Sequence, residues 1–301
     1  MRVLVSGASG FVGRSTLEAL ARRGADLHAI SRHKPQSDLR LVWHRANLFD
    51  HDRIHAIVNE ARPDVILHLA WIVEHGAFWT SPQNLDWIGA SLALARAGAE
   101  NGARRFIGVG TCYEYDWPQD GTCTEFNTPL RPSTLYGVCK DATRRAIDAF
   151  SAEVGFSFAW ARLFFLYGPG EGSERLIPAV ARALAANKPA MCTSGAAVRD
   201  FMDVRDAGEA LASVSLSDLV GPINIATGEG MKIVDIVRKL GALSGRENLL
   251  QIGALPDRSG EPRRIVANVN RLYTELDFRP ARSLNDGLCD AYEYWVARNP
   301  A

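Results

Sequence analysis

The chain opens on an apolar run, Val3-Leu4-Val5. It passes directly into Gly7-Ala8-Ser9-Gly10-Phe11-Val12-Gly13 and then into a stripe of Leu17, Leu20 and Ala21 at helical spacing. A strand, a glycine-punctuated turn and a helix in immediate succession leave few folds open. The alternation continues to about residue 165. Strands are predicted at Arg2–Ser6, Asp26–Ser31, Leu41–His44, Asp64–Leu69, Arg104–Gly110 and Ser157–Leu163, and helices near 11–23, 51–61, 83–101 and 133–154. Strands that read as continuous apolar runs between helices predict a parallel sheet covered on both faces. Right-handed crossovers then favour a doubly wound order.

The expected fold class is therefore α/β, a Rossmann-type doubly wound parallel sheet. After residue 168 the texture changes. Gly168-Pro169-Gly170-Glu171-Gly172 reads as a loop. Helices near 173–187, 206–217, 232–244 and 283–297 follow, with short strands around 190–194 and 200–204 and a loop-like Pro256–Pro262. Residues 1–168 are expected to form the sheet domain. Residues 169–301 are expected to form a smaller irregular lobe over the carboxyl ends of the strands, with segments that interleave with the first domain. That edge is where an open α/β sheet presents its ligand crevice.

The glycines carry a specific chemistry. Gly7 permits the tight turn out of the first strand, Gly10 lets backbone approach a pyrophosphate, and Gly13 lets the helix pack closely. The helix start offers free N–H groups and partial positive charge to phosphates. Gly7, Ser9, Gly10, Phe11 and Val12 are the expected cradle of a dinucleotide. NAD sites usually place an acid at the end of the second strand. Here that strand ends Ala29-Ile30-Ser31-Arg32-His33, and Asp26 lies at its other end. Ser31 repels no 2′-phosphate and Arg32 suits one. NADP(H) is thus expected, with NAD(H) as the other option. Asn47 and Leu48 follow the third strand, where an amide would meet adenine. Leu69 and Ala70 end the fourth, where backbone would pass the nicotinamide ribose.

A second constellation lies downstream. Tyr136 and Lys140 are four apart in a helical pattern and share one face, and Thr111 ends the fifth strand. A lysine ammonium near a phenol favours the tyrosinate. Such a phenol gives a proton to a carbonyl oxygen as hydride arrives, and Thr111 is placed to hydrogen-bond the same oxygen. Thr111, Tyr136 and Lys140 are the expected catalytic residues. Ser133 is the expected N-cap of their helix.

Bulk properties exclude other classes. Lys+Arg and Asp+Glu both number 34, which gives no net attraction to nucleic acid or anionic membrane. The five cysteines, Cys112, Cys123, Cys139, Cys192 and Cys289, form no Cys-x-x-Cys pair, so neither a disulfide framework nor a metal site is expected. No apolar run approaches the roughly 18 residues of a membrane span, and no leader is evident, so a cytoplasmic protein is expected.

Three further segments carry a resemblance. Arg162-Leu163-Phe164-Phe165-Leu166-Tyr167-Gly168-Pro169-Gly170, Val198-Arg199-Asp200-Phe201 with Val204 and Asp206, and Asn224-Ile225-Ala226-Thr227-Gly228 are similar to segments of extended short-chain dehydrogenase/reductases of the NAD-dependent epimerase/dehydratase group. The resemblance implies a nucleotide-diphospho-sugar substrate and a homodimer through the helices near 83–101 and 133–154. It implies the same roles for Thr111, Tyr136 and Lys140, and a cofactor held by Gly7, Gly10 and Gly13. The stripe Leu85, Ile88 and Leu92 on the first of those two helices is left open, to face the sheet or a partner subunit.

Departures from the family narrow the activity. The sugar dehydratases resemble Thr-Asp-Glu where this chain has Thr111-Cys112-Tyr113, and Glu114, shifted by one, is expected to point away. The epimerases usually carry the acid after the second strand. Thr-Cys-x-Glu-Tyr with a Leu-Tyr-Gly-x-x-Lys helix resembles 6-deoxy-4-keto-sugar reductases. The expected reaction is NADP-dependent reduction of a keto group, at C4 of a nucleotide-diphospho-6-deoxy-sugar. The alternatives are a nucleotide-sugar 4-epimerase with bound NAD, a reductase of small ketones, and a non-catalytic NADP-sensing protein. Arg199 and Arg258, in loop-like segments, are expected to grip the diphosphate. Trp71, Cys112 and Tyr113 are expected to line the sugar pocket, near Glu74 and His75.

Overall fold

A computed structural model describes residues 1–33, 39–118, 121–257, 259–260 and 262–298. The chain runs β1 (Arg2–Ser6), α1 (Phe11–Arg22), β2 (Asp26–Ser31), β3 (Val42–Arg45), α2 (His51–Ala61), β4 (Val65–His68), α3 (Gln83–Glu100), β5 (Arg105–Thr111), α4 (Leu135–Val154) and β6 (Ser157–Leu163). It continues through β7 (Phe165–Tyr167), α5 (Leu176–Ala185), β8 (Ala190–Cys192), β9 (Val198–Arg199), β10 (Phe201–Asp203), α6 (Val204–Leu216), β11 (Gly221–Ile225) and β12 (Met231–Lys232). The last elements are α7 (Ile233–Ser244), β13 (Leu250–Ile252), β14 (Arg264–Ile265), α8 (Asn270–Thr274) and α9 (Leu284–Val296).

The main sheet has seven strands in the order β11-β6-β5-β4-β1-β2-β3, all parallel. The order reverses at β1, so the exits of β1 and β4 diverge and leave a crevice at their carboxyl ends. The period-2 alternation of the strands fills two cores. Leu4, Ile66, Phe106 and Trp160 pack with Ile57, Leu94 and Ile147 of α2, α3 and α4. Val3, Val5, Leu67, Ile107 and Ala161 pack on the other face with Leu17, Leu20, Ala207 and Leu211 of α1 and α6.

Two segments from beyond residue 168 thus complete the sheet layer: β11 at its edge and α6 on its face. The remainder builds a second centre, in which Ile177, Val180 and Leu184 of α5 meet Ile236 and Leu240 of α7 and Leu288 of α9. Buried carboxylates tie the two parts: Asp206 of α6 accepts the Arg282 N–H and Nη1 at 3.0 and 2.8 Å, and Asp200 gathers more donors still. Asp200 Oδ1 accepts from the Thr227 backbone and hydroxyl at 2.9 and 2.6 Å. Its Oδ2 accepts from the Gly228 and Ala267 N–H groups at 2.9 and 3.2 Å. Four donors from two segments converge on one side chain, which is why an acid survives in a fully buried position.

Asp200→Ala leaves those donors unpartnered in the interior. The variant is expected to lose at least about 3 kcal/mol of stability in urea denaturation, and Asp200→Asn, which keeps an acceptor, is expected to lose less.

Candidate functional site

The glycine turn is built on close approach. Gly7 has φ +70, and a Cβ there would lie 2.7 Å from the Ala70 nitrogen. The exit of β4 therefore presses directly on the exit of β1. A Cβ on Gly13 would collide with the Gly7 carbonyl oxygen and come within 2.7 Å of that of Ala8, so this glycine packs the helix against the turn. No side chain caps α1, and its first turn carries no acid. The N–H groups of Phe11 and Val12 lack intrahelical partners by their place in the helix. These features fit a pyrophosphate.

The end of β2 is joined to this turn. Ser31 Oγ lies 3.0 Å from Ser9 Oγ and 2.6 Å from the His33 carbonyl oxygen. Arg32 is exposed beside it. Asn47 is exposed, and its Oδ1 accepts the Phe49 N–H at 3.3 Å, while Leu48 is buried. Leu69 and Ala70 are half-buried at the β4 exit.

Thr111, Tyr136 and Lys140 come together at the adjoining strand ends. β5 delivers Thr111, and α4 delivers the other two on one buried face. The N-cap of α4 is Thr134, not Ser133. Thr134 is the last residue with extended backbone, and its Oγ1 accepts the Gly137 N–H at 3.1 Å. Lys140 Nζ donates to the Val109 carbonyl at 2.8 Å and sits 3.9 Å from the centre of the Trp71 ring. Trp71 in turn donates from Nε1 to Asn84 Oδ1 at 2.8 Å. Trp71 therefore serves as the floor under the ammonium.

The electrostatics differ from the sequence expectation. Burial pushes the Tyr136 phenol above its ordinary range. The groups that pull it down are Thr111, through a side-chain hydrogen bond, and Arg175, through its charge; Lys140 is not among them. Burial also lowers Lys140 to about 7, against the support of the Glu114 carboxylate. The ammonium is spent on Val109 and Trp71. Nearby His68 is lowered to about 3 by burial, with Lys140 adding to the effect. Its ring lies between Ser6 Oγ at 2.6 Å and Ser91 Oγ at 2.8 Å.

Several residues here carried no sequence signal. Phe78 and Trp79 stand edge-on to Tyr136, at 5.0 and 5.8 Å between ring centres. Trp79 also meets Tyr113 at 4.5 Å, and Tyr113 meets Trp117 and Phe165. Arg175, at the start of α5, lies over the Phe78 ring. The density of aromatics in residues 71–79 was the available clue. Periodicity misses it because the segment is a loop.

The substrate expectations fare unevenly. Tyr113 joins the aromatic cluster. Cys112 is buried in the main core, where burial raises its thiol. Arg199 is not in a loop: it lies on β9, only 2% exposed, donates from Nη1 to the Val198 carbonyl and stacks over Phe165. A two-residue strand around a buried cation leaves no periodic signature. Glu74 and His75 are exposed, and Arg258 lies outside the described residues. The stripe divides: Leu92 packs on the sheet core, Ile88 packs on the cluster of Trp71, Phe78, Tyr136 and Cys139, and Leu85 is 58% exposed. Among the described residues no helix is long and apolar enough to cross a membrane.

Fold and site together define a Rossmann-type dinucleotide-binding architecture with a Tyr-x-x-x-Lys pair at its switch point. The chain belongs to the NAD dependent epimerase/dehydratase family, whose profile matches residues 3–226. Members of this family are NAD-dependent enzymes that modify sugar nucleotides. The chain is 26% identical to a dTDP-glucose 4,6-dehydratase of Xanthomonas campestris, over 97% of this chain and 92% of that one. It is 27% identical to the CDP-abequose synthase of Salmonella typhimurium, over 95% of each. The fold superposes on a Thermus thermophilus UDP-glucose 4-epimerase in complex with NAD, with a TM-score of 0.86 and 22% identity over the whole of both chains.

The depressed Lys140 sets a stability expectation. Its folded value, about 7, lies below the ordinary 10.5. The unfolded chain therefore binds the proton more tightly, and stability falls as pH drops from 10.5 toward 7. Lys140→Met is expected to be more stable than the parent by about 1–3 kcal/mol at pH 7. Urea denaturation should show that advantage shrinking as pH rises toward 10.

Proposed function

We propose that the protein reduces the keto group, at C4, of a nucleotide-diphospho-6-deoxy-sugar with NADPH. The observation that carries this reading is the end of β2. Ser31 is hydrogen-bonded into the glycine turn and Arg32 is exposed beside it, so the end of β2 itself sets no carboxylate against a 2′-phosphate and has a guanidinium at hand. NADPH, when bound, supplies the hydride. As hydride joins the carbonyl carbon, the C=O π pair takes the Tyr136 phenolic proton and the product is an alcohol. Thr111 polarises the same oxygen. Lys140, held on the Val109 carbonyl and over Trp71, orients the nicotinamide ribose. Tyr136 then recovers a proton from solvent.

The exit of β5 supports reduction over elimination. Cys112 and Tyr113 stand in place of an acid pair, and Glu114 is bound to Arg162 at 2.7 Å, fully buried. The dTDP- and UDP-sugars named for the relatives support the substrate class. Arg199, beside Phe165, is the residue of the 169–301 lobe that we assign to the diphosphate. The exposed Leu85 and Val138, on the paired helices α3 and α4, support a homodimer through those helices. A 4-epimerase that retains NAD is the second reading, favoured by the NAD in the solved relative.

Calorimetry is expected to give about tenfold or tighter binding for NADPH over NADH, with no cofactor retained on purification. Arg32→Ala should remove that preference and Ser31→Asp reverse it, changes of about tenfold to a hundredfold. Tyr136→Phe should lose about a hundredfold or more in turnover of 4-keto sugar nucleotides while binding NADPH as before. Tightly retained NAD would instead establish the epimerase reading, and unchanged function in Tyr136→Phe would establish a sensor.

A further inference from the structure

Glu114 takes no part in the proton and hydride steps, yet its carboxylate lies at the centre of the chain that carries them. It is fully buried. Oε1 accepts the Thr111 backbone N–H at 2.8 Å. Both oxygens accept the Trp160 Nε1–H at 3.0 Å, and Oε2 accepts the Arg162 Nε–H at 2.7 Å. The space it fills is opened by Gly110, where a Cβ would collide with Oε1. Thr111 and Glu114 close reciprocally, because the Thr111 hydroxyl receives the N–H of Tyr113 at 3.3 Å while Glu114 receives that of Thr111. A capping box of this kind fixes both the backbone and the side-chain rotamer of its first residue. That first residue is the hydrogen-bond partner of Tyr136.

We infer that Glu114, anchored by Arg162 and Trp160, is the positioning residue that holds Thr111 at the exit of β5 for its part beside Tyr136. The inference rests on the proposed reductase reading for its kinetic consequence, and its geometry stands without it. The Glu114 carboxylate also supports the Lys140 ammonium, against the burial that lowers it.

Glu114→Gln alone strands the Arg162 charge in the interior and is prone to unfold. Glu114→Gln/Arg162→Met removes both charges and keeps an acceptor for the Thr111 N–H. Glu114→Ala/Arg162→Met removes the acceptor as well. With a 4-keto-6-deoxy sugar nucleotide, kcat of this second variant is expected to fall on the order of tenfold, while KM and the NADPH dissociation constant stay within about twofold. Glu114→Gln/Arg162→Met is expected to restore most of that loss. Equal losses in both folded variants, or losses shared by NADPH affinity, mark a merely structural role and overturn the inference. Amide hydrogen exchange at Thr111 needs no substrate. It is expected to quicken on the order of tenfold in the alanine variant only, and unchanged exchange overturns the inference. If the parent turns over no 4-keto sugar, the reductase reading fails and the exchange measurement alone decides.

Discussion

A carboxylate and a guanidinium shut away from water, Glu114 and Arg162, hold together the segments on which the site stands. The pair joins the exit of β5 to the carboxyl end of β6. Through Arg162 Nη1 and the Tyr115 hydroxyl, 3.1 Å apart, it reaches Asn224 Oδ1 on β11 at 2.7 Å. Asn224 in turn donates from Nδ2 to the Cys123 and Asn268 carbonyls and from its backbone N–H to Glu125 Oε1. A buried ion pair is a poor source of net stability, since desolvation offsets its attraction. Its effect here is specificity of arrangement: Glu114, Arg162, Tyr115 and Asn224 each bond to groups from at least two other positions, which fixes β5, β6 and β11 relative to one another. The catalytic candidates inherit their positions from that arrangement.

The same burial explains the titration pattern of the site. Tyr136 is driven up, Lys140 down to about 7 and His68 down to about 3, and in each case loss of water is the leading cause. Aromatic rings do most of the excluding: Trp71 beneath Lys140, and Phe78 and Trp79 around Tyr136. In so dry a site the neutral forms of all three side chains are favoured. Any charge that develops there depends on fixed dipoles and hydrogen bonds rather than on solvent. Each such bond is worth more than it would be in water, and a small misplacement is felt more strongly.

How far the sequence carried the reading follows from which interactions are local. The turn from β1 to α1 was legible because strand, glycines and helix are contiguous, and each glycine answers a contact within the same turn or the next strand. The parallel sheet was legible because buried parallel strands read as apolar runs. Position 133 was misjudged against 134 because serine and threonine are equally good caps, and only backbone conformation chooses between them. Arg199 was read as loop because a cation in so short a strand looks exposed until Phe165 and Val198 are seen around it. Phe78, Trp79 and Arg175 reach Tyr136 from two loops far apart in sequence, and no periodicity reports a contact of that kind. The depression expected of Tyr136 failed for a related reason: spacing placed Lys140 on the right face, but not its ammonium, which the Val109 carbonyl and Trp71 claim first.

The placement of charge bears on why this family scaffold hosts more than one reaction. The glycine turn, Tyr136 and Lys140 are common requirements of moving a hydride and a proton, and they are set by backbone geometry. The proposed reduction calls for no acid at the β5 exit. There the Glu114 carboxylate is turned inward onto Arg162, and Cys112 beside it is folded into the main core. On the short 3₁₀ turn Cys112–Glu114 that carboxylate accepts the Thr111 backbone N–H, so the acid nearest the exit is bound to the frame of the site and not presented to the crevice.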